Sequence, residues 1–121
     1  MTLLMLSGAG GLGAVARFIL DGVITARVSR YPWGTTVINV TGSLLLGVVT
    51  GLALGHVLPE RWHLVLGSGF LGGFTTFSTA SLETVRLLQE RRWLAGLANG
   101  IGMLAASVAA AAIGLWLGLH L

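Results

Sequence analysis

The residues with the most chemistry in this chain carry no charge. Residues 69–79 read GFLGGFTTFST, a glycine pair followed by hydroxyl side chains inside an apolar stretch. Glycine and threonine are poor helix formers. Hydroxyls can take over backbone groups where a helix in lipid is interrupted. A break is therefore expected within residues 72–76. Carbonyls freed by a break make a hard oxygen site that suits a small alkali cation. The half-helix that begins after it presents N–H groups and a positive dipole end, which suits an anion. A kinked helix whose hydroxyls bond back to their own turn accounts for the same residues. Three smaller groups accompany this run. Thr36, Asn39 and Ser43 fall at i, i+3 and i+7, so they share one helix face. Asn99 and Ser107 lie eight apart, close to one face. Arg17 and Asp21 are spaced i, i+4 and can pair.

These groups sit on stretches that are otherwise apolar and long. A helix crossing the hydrocarbon needs roughly 20 mostly apolar residues. Four such stretches are present, at about residues 2–26, 33–58, 64–88 and 93–119. Short connectors at 27–32, 59–63 and 89–92 join them, and nothing is left over for a soluble domain. The expected fold is an all-α membrane protein of four spans in one domain, 1–121, with the third span broken at its centre. Gly47, Gly51 and Gly55 recur every four residues, as do Ala106, Ala110, Gly114 and Gly118. Small residues at that spacing let membrane helices approach closely.

Composition supports a membrane setting and excludes several functions. Hydrophobic residues make up 55% of the chain and charged residues 9%. A soluble domain carries about a quarter charged residues, so this chain has too few polar side chains to cover a water-facing surface. The net charge of +3 is too dilute for a nucleic-acid surface. There are no cysteines, hence no disulfide framework or thiolate metal site. His56, His63 and His120 fall near span ends and read as interfacial, so an enzyme is not expected. No Lys or Arg precedes the first apolar stretch, and further spans follow it. It reads as a mature helix and not a cleaved signal peptide.

Three motifs in order resemble the CrcB/Fluc fluoride-channel family. Residues 10–18 (GGLGAVARF) look like its first-helix signature, and residues 33–43 (WGTTVINVTGS) like its second-helix segment with a central asparagine. Residues 69–79 match its third-helix hallmark, and residues 107–118 are similar to its last helix. The resemblance covers essentially the whole chain. It implies a multi-pass protein of the cell membrane that works as an antiparallel, dual-topology dimer with two narrow pores. It implies passive, selective fluoride efflux that lowers cytoplasmic fluoride. It implies a structural, non-transported sodium ion held by the backbone carbonyls of Gly72 and Thr75. By the same resemblance, Asn39, Phe77, Ser78, Thr79 and Ser107 line the fluoride pore, and Arg17 stands at a vestibule. The residue types suit the ion, because neutral donors replace water without trapping an anion and a phenylalanine edge is electropositive.

Two features depart from the family pattern. Ala80 stands where a second pore phenylalanine is usual, so that one aromatic wall of each pore is either missing or filled by Phe74, Phe70 or Met103. Arginines are also unevenly placed, with Arg27, Arg30, Arg86, Arg91 and Arg92 at one end of the spans and Arg61 at the other. Positive charge marks the cytoplasmic side, which favours both termini outside. A homodimer is expected first, and a heterodimer with an oppositely oriented paralogous subunit second. A small dual-topology multidrug transporter is the nearest rival, but it needs a carboxylate at mid-membrane. Asp21 and Glu83 both fall near span ends. A scaffold held together only by glycine seams leaves the clustered hydroxyls unexplained. An accessibility assay on a C-terminal tag separates the two assemblies. A homodimer labels equally from both sides of the membrane, whereas an oriented subunit labels from one.

Overall fold

The computed structural model describes residues 1–27 and 31–121. The predicted first connector, with Arg30, falls partly on residues 28–30 outside the described residues. The described residues are helical throughout, with short turns between. Helix α1 runs Thr2–Arg27, α2 runs Trp33–Leu54, and α5 runs Trp93–Leu119. At 1.5 Å per residue these measure about 39, 33 and 40 Å, enough to cross roughly 30 Å of hydrocarbon with some tilt. The third span is made of two pieces, α3 over residues 60–74 and α4 over Phe77–Gln89. Neither piece is long enough to cross alone, and together they are.

The break is narrower than the sequence suggests. Gly72–Phe74 remains helical, and only Thr75 and Thr76 are extended, with ψ of 158° and 123°. The second helix ends at Leu54 rather than 58. His56 adopts a left-handed φ of 62°. The His56 N–H then bonds the Ala53 carbonyl, and the Val57 N–H bonds that of Leu52. This is a Schellman closure, hidden from sequence reading because the left-handed residue is not glycine. Arg91, with φ of 60°, closes α4 in the same way. The third span begins earlier than expected, at Glu60 directly after Pro59. Widened π-turns interrupt it at Leu64–Leu71 and interrupt α5 at Ala98–Gly102. In the first, the Gly72 N–H reaches back five residues to the Gly67 carbonyl.

Small residues set how closely the helices pack. The most extensive contact joins α2 to α5. A Cβ on Gly47 would strike the Ala111 carbonyl, and one on Gly114 the Leu44 carbonyl. Gly51 and Gly118 meet each other's backbones in the same seam. The repeat does not hold throughout, because Gly55 and Ala106 are exposed. A second seam ties α1 to α3, where a Cβ on Gly13 would strike the Phe70 carbonyl and one on Gly73 the Gly10 carbonyl. The buried cluster is correspondingly small, built on Ile38, Leu71 and Phe74 with Phe70 stacked beside Phe74. Most remaining apolar side chains face outward, as lipid-facing surfaces do. Trp33, Trp62, Trp93 and Trp116 are exposed near span ends, where tryptophans favour the membrane–water boundary.

Gly114→Val should lower stability by about 1–3 kcal/mol, the usual cost of overfilling a packed site. Thermal unfolding in detergent measures it. Gly22→Ala, where nothing lies within 4 Å of the new methyl, should leave Tm unchanged or raise it.

Candidate functional site

An unbroken helix pairs each N–H with the carbonyl four residues earlier. Across the break the N–H groups of residues 76–79 leave the carbonyls four residues earlier, and side chains take up a freed group in three of these four pairings. The Thr76 N–H would serve the Gly72 carbonyl, but donates to Asn39 Oδ1 at 2.8 Å. Asn39 Nδ2 returns the bond by donating to the Thr76 carbonyl, also at 2.8 Å. The Thr79 N–H would serve the Thr75 carbonyl, but donates to Thr76 Oγ1 at 3.1 Å, a helix N-cap. The Gly73 carbonyl would be served by Phe77, and instead accepts from Arg17 Nε at 3.2 Å. The Gly72 and Thr75 carbonyls thus lose their helical donors. Thr75 itself stays anchored, its N–H and hydroxyl both donating to the Leu71 carbonyl.

On one side of the break lies an open cleft of about 510 Å³ between α2, α4 and α5. Its polar lining is neutral: Thr75 and Thr76 of the break with Asn39, Ser43, Ser81, Thr84, Asn99 and Ser107. None of its lining residues is ionisable. Phe77 stands at its rim, 88% exposed. Ser107 Oγ is buried without a partner. Asn99 is 1% exposed and sits in the widened turn of α5. Its Nδ2 donates to Thr84 Oγ1 at 2.8 Å and to the Ala80 carbonyl at 3.3 Å, while its Oδ1 has no partner. Ala80 and Met103 complete the wall, and Met103 Sδ lies 3.2 Å from Asn39 Nδ2. Of the three side chains considered for the aromatic gap at Ala80, only Met103 reaches the cleft. Phe70 and Phe74 belong to the buried cluster.

A second cavity of about 330 Å³ lies on the other side of Thr76, lined by Arg17, Asp21, Thr35 and Thr79. Arg17 and Asp21 do not pair, because Arg17 turns to Gly73. Asp21 packs on Gly34, so closely that a Cβ there would strike Oδ1. Glu83 lines neither space. The carboxylates are thus kept out of the cleft.

The structure brings Asn39, Phe77 and Ser107 together at the cleft. It places Ser78 on the exposed surface and Thr79 beside Arg17 in the second cavity. Ser43, Ser81, Thr84 and Asn99 join the cleft instead. Helical spacing was the available signal: Phe77, Ala80, Ser81 and Thr84 follow i, i+3, i+4 and i+7. Ser78 and Thr79 lie on other faces of the same helix.

Fold and cleft together define a small multi-pass helical membrane protein with a neutral polar path at a broken span. A model of the CrcB-like protein, camphor resistance (CrcB) family matches residues 3–118. The chain is 57% identical to fluoride-specific ion channel FluC 1 of Leifsonia xyli subsp. xyli, over 98% of this chain and 87% of that protein. It is 52% identical to fluoride-specific ion channel FluC 2 of Cutibacterium acnes over 98% of both chains. Fluoride-specific ion channel FluC of Geobacter sulfurreducens is 41% identical over 98% of this chain and 94% of its own. The chain belongs to the CrcB family.

Arg17→Ala removes the charged donor on Gly73 and should lower stability by about 1.5–3 kcal/mol, the range for hydrogen bonds to charged groups. An unchanged Tm in detergent would show that this bond contributes nothing.

Proposed function

We propose that the chain is one subunit of a fluoride-specific channel that lets fluoride leave the cell passively. The observation that carries this reading is the neutral polar cleft along the broken third span. Fluoride is small and holds its water tightly, so a pathway for it must offer replacement donors. Ser43, Ser81 and Ser107 offer hydroxyls. The N-terminus of α4, at Phe77, adds free N–H groups and the positive end of a helix dipole. No fixed positive charge lines the cleft to hold the ion. Phe77 can turn its electropositive edge toward an anion. Ser78 and Thr79 belong to the proposed track through their place beside Phe77, on the faces away from this cleft. Arg17 supports an anion-attracting vestibule only through its remaining guanidinium N–H groups, since Nε is engaged.

The working unit is an antiparallel dimer. A cleft lined by polar side chains is poorly matched to lipid, and a second subunit covers it. The arginine distribution leaves a heterodimer with an oppositely oriented paralogue as the alternative to a homodimer. A structural, non-transported sodium ion completes the assembly, held by the Gly72 and Thr75 carbonyls. The donor set suits it, because both carbonyls have lost their helical N–H partners and sodium takes hard oxygen ligands. When bound, the ion supplies positive charge that draws carbonyl oxygens together. The chain is not an enzyme, in line with the channel names of its relatives. A proton-coupled transporter is disfavoured, since the cleft contains no carboxylate.

Fluoride release from loaded liposomes, read with a fluoride electrode, tests the reading. Purified protein should release fluoride well above empty vesicles. Asn39→Asp, which places a negative charge in the cleft, should reduce release to the empty-vesicle level, and Ala80→Phe should leave or raise it. No release by dimeric wild-type protein would refute the channel.

A further inference from the structure

We propose that Asn39 is a positioning residue for the cation site at the break and not only a donor in the cleft. The proposal rests on the sodium site of the preceding reading. It starts from what the Asn39 amide is bonded to. Its oxygen accepts the Thr76 N–H, and its nitrogen donates to the Thr76 carbonyl and lies against Met103 Sδ. This reciprocal pair is the arrangement that two strands make across a sheet, built here from one side chain. It has a consequence on the far side of the backbone. The N–H that Asn39 removes is the one that an unbroken helix would give to the Gly72 carbonyl.

Thr76 completes the arrangement. Its hydroxyl removes the Thr79 N–H, which an unbroken helix would give to the Thr75 carbonyl. Two side chains on adjacent parts of the break therefore strip the donors from the two carbonyls assigned to sodium. Arg17 occupies the Gly73 carbonyl that lies between them in sequence. The cation site is thus made by side-chain substitution of backbone donors, and Asn39 forms it from the cleft side. If Asn39 releases Thr76, the N–H is free to return to Gly72 and the helix can close over the site. Occupation of the carbonyls and engagement of Asn39 with Thr76 favour each other, which couples the cation to the cleft wall.

Sodium titration of thermal unfolding tests this in the purified full-length protein, with choline chloride holding ionic strength constant. A ligand that binds only the folded state raises Tm with its concentration. Sodium should raise the Tm of the wild type. Asn39→Ala should need at least about tenfold more sodium for the same shift, the usual loss when a group orienting a metal ligand is removed. Hydrogen exchange at the Thr76 amide should speed up in the same variant. Thr76→Val, which loses the cap on Thr79, should also weaken the sodium response, and Thr76→Ser should restore it. Ser7→Ala, remote from the break on α1, should match the wild type. A wild-type sodium midpoint in both Asn39→Ala and Thr76→Val overturns the proposal. If Asn39→Ala does not fold, the Thr76→Val and Thr76→Ser pair decides it. A wild type whose Tm ignores sodium overturns it as well, while fluoride release would still uphold the channel. Sodium dependence in a protein that releases no fluoride would uphold the site and refute the channel.

Discussion

In hydrocarbon, each backbone N–H and C=O needs a partner from within the protein. Every feature of the break follows from that constraint. Interrupting a membrane helix orphans groups that water would otherwise satisfy, each costing several kcal/mol. This chain meets part of the cost with three side chains drawn from three places, Asn39 on α2, Thr76 within the break and Arg17 on α1, and leaves the Gly72 and Thr75 carbonyls without their helical donors. The break is accordingly a constructed element. Its two extended residues, Thr75 and Thr76, are fixed by bonds to Leu71 on α3, Asn39 on α2 and Thr79 on α4.

Those side chains reach the break because the helix backbones lie unusually close. Asn39 and Arg17 are on different helices, and each must bring a polar group to within about 3 Å of the same short segment. Gly13 and Gly73 allow α1 and α3 to touch backbone to backbone. Gly42 on α2 leaves room for the Thr75 and Phe74 side chains, since a Cβ there would strike the Thr75 methyl. The glycines thus serve the site as well as the packing. The α2–α5 seam at Gly47, Gly51, Gly114 and Gly118 holds the opposite wall of the cleft. With lipid around the protein there is no hydrophobic pull between helices, so close backbone contact carries the packing. That explains how a stable arrangement coexists with so small a buried cluster.

The placement of charge completes the picture. Charged groups are present at membrane depth, but Thr76 and Asn39 stand between them and the cleft. Arg17 and Asp21 line the cavity on one side, and the cleft on the other is neutral. Tight capture of an anion is avoided there without removing the arginine that braces the break.

Much of this was legible in the residues. Four apolar stretches, the break in the third, the glycine seam and the shared face of Asn39 and Ser43 all rest on local properties: hydrophobicity, helix propensity and period. Such properties are written in consecutive or evenly spaced residues. The partners of the polar groups were not legible. The i, i+4 spacing of Arg17 and Asp21 suggested an ion pair, yet Arg17 bonds a carbonyl 56 positions away. That Ser81 and Thr84 join Phe77 at the cleft, while Ser78 and Thr79 lie on other faces of the same helix, was not legible either. The ends of α2 and α4 were hidden because His56 and Arg91 adopt left-handed conformations that sequence associates with glycine. Sequence by itself determined which segments enter the membrane and which one breaks, because transfer into lipid and helix propensity act residue by residue. Only the tertiary structure decided which carbonyls are left open and what holds them so. That depends on side chains arriving from other helices, at distances set by backbone contact and not by spacing along the chain.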